Sequence, residues 1–297
     1  MTTLSLLAWT EHFASAQLVD AVCELERFGY HELWLPERVG RELFSTCGYL
    51  LAKTSSLRVS CGIANIYVRD ADAVAQGRQT LAELSADRFS LGLGVSHRDL
   101  IEPRGHTWEA PVKKMRAYLE RIQSAPLEGP APTTPAPIII AAHGQGLWGV
   151  AAEHTDGILT NCLLPETVSR ARAALGPDKQ IHSLVRCVLE EDPQRARNAV
   201  RRTVGLYLGL PAYHRAWARE GFDETDWSNG GSDRLIDALS AWGNAPQISA
   251  RLAEFEAAGS SHIVMVGVPA ETASDPHLAK HWDWDLLRAL APNGGRS

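Results

Sequence analysis

The stretch LVDAVCELERFGYHELWLPE, residues 18–37, contains the pattern that decides the fold of this chain. Apolar residues recur at steps of three and four between Leu18 and Phe28, which predicts an amphipathic helix. Gly29 then provides a helix stop, because glycine readily adopts the left-handed conformation that ends helices. The apolar run Leu33–Leu35 follows and predicts a short buried strand. A helix followed by a strand is therefore the predicted repeating unit of the chain.

The same alternation of short apolar runs and longer amphipathic stretches continues along the chain. The predicted strands are Leu4–Ala8, Leu33–Leu35, Arg58–Ile63, Phe89–Gly94, Ile138–Ala142, Gly157–Thr160, Ile181–Leu189 and His262–Val266. Strands that alternate with helices are parallel and are joined by crossover helices. Eight such units predict a closed α/β barrel, the (β/α)8 TIM barrel, because closure leaves no sheet edge exposed. A doubly wound open sheet is the alternative.

The chain of 297 residues is expected to form one domain, residues 1–297, since barrels of this kind routinely reach this length. The proline-rich segment PLEGPAPTTPAP, residues 126–137, is interpreted as a surface loop before the fifth strand rather than as a linker. Residues 193–258 have a mostly helical pattern with a polar break, WSNGGSD, at 227–233. This stretch predicts a helical insertion between the seventh and eighth strands.

Composition and short motifs argue against several classes of function. The net charge is −6, whereas a nucleic-acid partner would require a basic face. The five cysteines include no C-x-x-C pair, which indicates a reduced, cytoplasmic protein without structural zinc. The N-terminus lacks the features of a signal peptide, and no apolar run reaches the length of a membrane span. His277 and His281 lack the glutamate of an H-E-x-x-H site, so no metal is expected.

In a barrel the chemistry belongs at the carboxyl ends of the strands, so the residues there are the candidates. Glu37 follows the second strand and could accept a hydrogen bond from a cofactor or take a proton. A surface ion pair with Arg38 or Arg41 is an equally good interpretation of this residue. The third strand ends in CGIANIYVRD, where Gly62 permits close approach of a ligand and Asn65 offers a donor and an acceptor. A plain turn explains the same residues.

The fourth strand ends in SLGLGVSHRD, which includes the pair Gly92-x-Gly94. This pair resembles the start of a dinucleotide-binding fingerprint, but His97 stands where the third glycine belongs. The Rossmann interpretation is therefore rejected. Ser96 and His97 remain as polar residues at a strand end, and His97 is either structural or a proton-transfer group.

The fifth strand leads into the turn formed by His143, Gly144, Gln145 and Gly146. Exposed backbone N–H groups at a helix N-terminus bind anions, and glycines let a phosphate approach them. The turn lacks the lysine and serine or threonine of a P-loop, so a nucleoside triphosphate is not indicated. A glycine-rich turn without a ligand is the alternative.

A set of segments resembles the bacterial luciferase-like superfamily, especially its F420-dependent oxidoreductases. The segments are LERFGYHELWLPE, TSSLRVSCGIANIYVRDA, LAELSADRFSLGLGVSH, IIIAAHGQG, AAEHTDGILTN and LAEFEAAGSSHIVMVGV. Their order and spacing carry the resemblance, which runs nearly end to end. It implies a TIM barrel with insertions, a homodimer, and a non-prolyl cis peptide bond at Gly62–Ile63 behind a deazaflavin or flavin ring.

The resemblance also implies which residues contact the cofactor. They are Gly62, Ile63, Ala64, Asn65, Val95, Ser96, His143, Gly144, Gln145 and Gly146. Many F420 enzymes of this family carry an Asp-His pair after the second strand, where this chain has Glu37-Arg38, and some carry Glu at the position of His97. The family's proton relay is therefore not preserved, and no sugar-phosphate or alcohol substrate is implied.

Together these observations predict hydride transfer between F420 and a small organic substrate. His97 is the first candidate for general acid or base and Glu37 is the second. Trp9, after the first strand, is a candidate wall of the substrate pocket. An FMN-dependent monooxygenase is the alternative enzyme, and a non-catalytic barrel that binds a flavin is the alternative outside enzymes.

Overall fold

The computed structural model describes residues 3–271 and 282–294, and its centre is a closed parallel barrel. The strands are β1 Thr3–Leu7, β2 Glu32–Leu35, β3 Arg58–Cys61, β4 Ala64–Asn65, β5 Phe89–Gly94, β6 Ile138–Ala141, β7 Gly157–Asn161, β8 Gln180–Leu189, β9 Ser240–Gly243 and β10 His262–Gly267. Their order is β10-β1-β2-β3-β5-β6-β7-β8, and pairing of β8 with β10 closes the ring. The predicted TIM barrel is confirmed.

Helices surround the barrel. They are α1 Ser15–Arg27, α2 Leu43–Leu51, α3 Ala71–Leu84, α4 Arg98–Ile101, α5 Pro111–Ser124, α6 Gln145–His154, α7 Pro165–Leu175, α8 Pro193–Leu208, α9 Pro211–Ala218, α10 Glu224–Trp227, α11 Asp233–Ala238, α12 Ala245–Ala257 and α13 Trp284–Ala289. Helix α1 is amphipathic as predicted, since its apolar face is buried, and Gly29 follows it at a φ of +83°. No helix of the described residues is long and apolar enough to cross a membrane.

Two features differ from the sequence prediction. The third strand, predicted as Arg58–Ile63, ends at Cys61 and resumes as β4, because the chain turns at Gly62–Ile63. The stretch 193–258 is mostly helical as predicted, but it also contains β9, which the prediction missed. Strand β9 pairs with the last residues of β8, beyond the point where β7 ends. Residues 126–137 form an irregular connection between α5 and β6, as predicted.

Packing inside the barrel explains the Gly92-x-Gly94 pair. The indole of Trp34 is fully buried in the lumen. A Cβ at Gly92 would lie 2.0 Å from the carbonyl oxygen of Cys61 and 3.1 Å from the Trp34 ring. A Cβ at Gly94 would lie 2.4 Å from Cδ1 of Ile63. Both contacts are too close for a side chain, so the glycines make room for the end of the third strand.

The N-terminal end of the barrel is polar and contains a cavity of about 360 Å³. The imidazoles of His182 and His262 stack there with ring centroids 4.3 Å apart, and His31 lies beside His262 at 6.0 Å. Arg58 lies 3.7 Å from the carboxylate of Glu32, which is buried. The other charged residues that line this cavity are one cation, Arg58, and two carboxylates, Glu32 and Asp87.

Acid should destabilise the fold through these histidines. Burial, helped by the charges of His31 and Arg58, lowers the pKa of His262 from 6.5 to about 4, and burial also lowers the pKa of His182 and His31. Below pH 6.5 the unfolded chain binds protons that the folded chain does not, so stability falls as the pH falls. We expect the Tm to drop by at least about 2 °C between pH 7.5 and 5.0.

Thermal unfolding monitored across this pH range checks the prediction. His262→Gln should make the Tm less dependent on pH, whereas His106→Gln, at an exposed position, should not change that dependence. Equal slopes in the wild type and in His262→Gln would contradict it.

Candidate functional site

The predicted site residues lie at one end of the barrel, because all of them follow the carboxyl ends of parallel strands. Trp9 follows β1 and Glu37 follows β2. Ile63 lies between β3 and β4, His97 follows β5, and His143 follows β6. The site is therefore assembled from neighbouring strand ends.

The peptide bond Gly62–Ile63 is cis, at the position that the resemblance implied. The N–H of Gly62 donates to the carbonyl oxygen of Leu35 at 2.7 Å, which ties the break to β2. A Cβ at Gly62 would lie 2.8 Å from Cβ of Trp34, so glycine is required by the packing as well. Ile63 is partly buried and packs against the lumen cluster that contains Trp34. The break thus places an aliphatic side chain between the barrel interior and its mouth.

Glu37 is engaged by two neighbours. Its Oε2 accepts the backbone N–H of Asn65 at 2.8 Å, and its Oε1 accepts from Nη1 of Arg69 at 2.5 Å. Arg69 also pairs with Glu42, whose side chain caps the N-terminus of α2. The surface pair considered for Glu37 is not formed, since Arg41 donates to backbone carbonyl oxygens instead. Glu37 therefore connects β4 to the start of α2.

The end of β5 presents Val95, Ser96 and His97, all partly buried. Ser96 has a φ of +60°, in the left-handed region that few residues other than glycine adopt. The imidazole of His97 has no hydrogen-bond partner among residues 3–271 and 282–294. Burial lowers the pKa of His97, and the nearby Asp99 opposes this effect only in part. His97 is therefore neutral near pH 7 and able to accept a proton.

The turn after β6 has the features of an anion site. Helix α6 begins at Gln145, and no side chain caps its N-terminus. A Cβ at Gly144 would meet nothing within 4 Å, and Gln145 and Gly146 are exposed. Open space beside uncapped N–H groups is what an anion at a helix N-terminus requires.

Sequence analysis missed a chain of hydrogen bonds that links this turn to β7 and β8. Nε2 of His143 lies 3.1 Å from Oη of Tyr213, which lies 3.2 Å from Nδ2 of Asn161. Oδ1 of Asn161 accepts from Nη1 of Arg186 at 3.0 Å. Arg186 also donates to Oγ1 of Thr203 at 2.9 Å. Tyr213 belongs to α9 and Thr203 to α8, so the helical insertion contributes directly to the site.

The orientation of the Asn161 amide follows from Arg186, which can only donate. Asn161 must therefore turn its oxygen toward Arg186 and donate from its amide nitrogen to Tyr213. The Tyr213 hydroxyl keeps its own hydrogen and can donate it to Nε2 of His143, and in that arrangement the proton of the neutral imidazole lies on Nδ1. Burial, with a smaller effect from His97, lowers the pKa of His143 to about 4, in agreement with a neutral ring. The Nδ1 atom is buried and has no hydrogen-bond partner in the described part of the chain.

Different sequence signals could have found these residues. Arg186 lies two residues after Leu184 on a strand whose alternate residues face the lumen, so period-two alternation could have identified it. Asn161 is the last residue of β7, and a polar residue at the carboxyl end of a barrel strand is a candidate site residue. Tyr213 comes from an insertion helix, and no local pattern predicts which of its faces reaches the barrel.

The remaining predictions are placed as follows. Trp9 is partly buried and packs on the lumen cluster, and its carbonyl oxygen accepts from Nε1 of Trp282 at 3.0 Å. No group of three or more His, Cys, Asp or Glu within the described ranges could hold a metal ion. His277 and His281 lie outside those ranges.

Comparison with known proteins gives relatives of the same fold. A 5,10-methylenetetrahydromethanopterin reductase from Archaeoglobus fulgidus is 26% identical over 285 residues, covering 80% of this chain and 86% of the relative. The F420-dependent tetrahydromethanopterin reductase of Methanopyrus kandleri has a TM-score of 0.72 at 17% identity, with 96% of this chain and 97% of that chain covered.

A second similar structure was solved with FMN, and a family profile covers most of the chain. The oxygenating constituent of 3,6-diketocamphane monooxygenase from Pseudomonas putida has a TM-score of 0.71 at 11% identity, with coverage of 99% and 98%. At such identities the structural likeness shows the fold alone. The sequence profile of luciferase-like monooxygenases matches residues 8–262. This match shows that the chain belongs to the luciferase-like monooxygenase family.

Proposed function

We propose that this protein is an F420-dependent oxidoreductase that transfers a hydride between the deazaflavin and a small organic substrate. The observation that carries the proposal is the pairing of two features at the barrel mouth. One is the Ile63 side chain projected by the break in the third strand, and the other is the uncapped, open N-terminus of α6. The similar structure from Methanopyrus kandleri, which is named for F420 dependence, supports the choice of cofactor.

The residues at the mouth fit such a cofactor. An aromatic ring system would lie against Ile63, Ala64 and Asn65 on one side and Val95 and Ser96 on the other. A phosphate would lie at the turn formed by His143, Gly144, Gln145 and Gly146, where the N–H groups of α6 have no side-chain cap. When bound, F420 supplies a two-electron hydride donor or acceptor.

His97 is the residue that we assign to proton transfer. It is neutral, partly buried and unpaired within the described residues, so it can accept or donate a proton at the mouth. Glu37 has both carboxylate oxygens engaged by Asn65 and Arg69, which favours a role in positioning β4 over direct proton transfer. Trp9 would form an apolar wall of the substrate pocket.

We also expect a cytoplasmic homodimer, which sedimentation and cell fractionation would check.

Cofactor binding is the first test of the function. Fluorescence titration should give a Kd for F420 at least about tenfold lower than that for FMN, a difference of about 1.4 kcal/mol. Gly144→Leu should weaken F420 binding by a similar factor at an unchanged Tm, because the new side chain fills the open space beside α6.

Gly149→Leu is the matched control, since Gly149 lies in the same helix and also has open space around it. It should leave the Kd for F420 unchanged. Tighter binding of FMN than of F420 would favour the alternative activity, a flavin-dependent monooxygenase, for which the structural likeness to the FMN-bound enzyme provides the precedent.

Removal of the His97 imidazole should affect turnover and not cofactor affinity. With any substrate found in a panel, His97→Ala should lower kcat by about 10²–10⁴-fold, the usual contribution of a general acid or base. The Kd for F420 should change little. His106→Ala, at an exposed histidine, should behave as the wild type. Unchanged turnover in His97→Ala would remove His97 from the mechanism.

Glu37→Gln tests the positioning role. The amide can still accept from Asn65 but loses the charge that pairs with Arg69, so stability should fall by about 1–3 kcal/mol and F420 should bind more weakly. The pH–rate profile should keep both limbs, because a positioning residue does not exchange the reacting proton. Loss of one limb would instead identify Glu37 as a proton-transfer group.

A further inference from the structure

Arg186 is the most deeply buried cationic side chain of the described residues, with 3% of its surface exposed. It lies near the carboxyl end of β8, two residues beyond Leu184, which packs in the lumen cluster. Alternate residues of a strand face the same side, so Arg186 faces the lumen at the mouth of the barrel. It belongs to the same end as the proposed cofactor site.

The partners of Arg186 are all neutral. Nε donates to Thr203 at 2.9 Å, Nη1 donates to Asn161 at 3.0 Å, and the guanidinium lies 5.2 Å from the centre of the Tyr207 ring. No carboxylate within residues 3–271 and 282–294 forms an ion pair with it. A guanidinium has five N–H groups, and two of those of Arg186 donate to oxygen acceptors, while the neutral thiol of Cys162 is a further and weaker hydrogen-bonding neighbour.

Arg172 shows how the same chain satisfies an arginine that serves the fold. Its guanidinium also lacks a carboxylate partner, but it makes five hydrogen bonds to backbone carbonyl oxygens at the ends of α7 and α12. It is also more exposed than Arg186. Arg186 is thus more deeply buried than Arg172 and has fewer hydrogen-bond acceptors around its guanidinium.

A buried charge is costly unless it is paired and its hydrogen bonds are made. A fold can keep such a charge where a ligand completes the pair. We propose that Arg186 binds the carboxylate of the substrate, so that the substrate is a small organic acid. This inference rests on the proposed oxidoreductase function and adds the substrate class to it.

The residues around Arg186 favour a ligand with one negative charge and an apolar remainder. Arg186 is the single described cation at this position, and a phosphate dianion would require a second. Trp9, Ile63 and Tyr207 are partly buried and pack against one apolar cluster at the mouth, which suits a hydrocarbon or carbonyl-bearing body. The phosphate of the cofactor has a separate place at the start of α6. Planar guanidinium and carboxylate groups also match for paired hydrogen bonds.

The first measurement compares the stability of two arginine variants without ligand. Arg186→Met removes an uncompensated buried charge and keeps the volume, so its Tm should equal or exceed that of the wild type. Arg172→Met leaves several carbonyl oxygens unpaired, so its Tm should fall by several degrees. An equal fall in both variants would show that Arg186 serves the fold and would overturn the proposal.

The second measurement follows the Tm in the presence of matched acids and amides, with and without F420. Benzoate and butyrate should raise the Tm of the wild type by about 2–4 °C at concentrations several times the Kd, whereas benzamide and butyramide should not. Arg186→Met should lose this shift, and Arg186→Lys should keep part of it. A shift with the amides, a shift that survives in Arg186→Met, or a larger shift with inorganic phosphate would each overturn the proposal.

F420 affinity separates this inference from the proposed function. Arg186→Met should bind F420 as the wild type does, and a tenfold loss would show that Arg186 holds the cofactor rather than the substrate. If F420 does not bind the wild type while the carboxylate shift persists, the oxidoreductase proposal fails and the anion site at Arg186 stands.

Discussion

The indole of Trp34 fills the centre of the barrel, and the site at the mouth is built against it. A Cβ at Gly62 would lie 2.8 Å from Cβ of Trp34, and a Cβ at Gly92 would lie 2.0 Å from the carbonyl oxygen of Cys61 and 3.1 Å from the Trp34 ring, so the strand ends around the indole require glycine at both positions. The ring of His182 meets the indole edge to face at 5.1 Å on the other side. Trp34 therefore separates the polar cavity at the N-terminal end from the mouth, and it supports the break that projects Ile63.

The helical insertion is part of the site because of one hydrogen-bonded chain. Tyr213 of α9 joins His143, at the start of α6, to Asn161, at the end of β7, and Arg186 fixes the orientation of the Asn161 amide. The chain ends at His143, whose Nδ1 atom is buried and has no hydrogen-bond partner among the described residues. Tyr213 thus holds the His143 ring at the start of α6, and this gives the insertion a role beyond covering the barrel.

The sequence allowed the barrel and the strand ends to be predicted because both follow from local periodicity. The run Leu33–Leu35 and the helix before it repeat along the chain, and chain order alone brings Glu37, His97 and His143 to one end. The partners of these residues depend on long-range packing, which periodicity does not encode. Arg69 took the place of Arg38 or Arg41 beside Glu37, and Tyr213 reached His143 across 70 positions of sequence. Strand β9 was missed because its four residues lie between helices α11 and α12.

The barrel contains one arginine at each end of its lumen, Arg58 and Arg186, and the two differ in their partners. At the N-terminal end Arg58 has the carboxylate of Glu32 beside it, and its guanidinium also donates to backbone carbonyl oxygens and Ser90. At the mouth Arg186 has only neutral partners among the described residues, although it is the more deeply buried of the two. Both environments are available to the same fold, so the lack of a counterion at Arg186 is not imposed by the barrel. The guanidinium charge of Arg186 is therefore available to the carboxylate of a bound substrate. Arg186 lies at the carboxyl ends of the strands, and this is the end at which barrels of this kind bind their substrates.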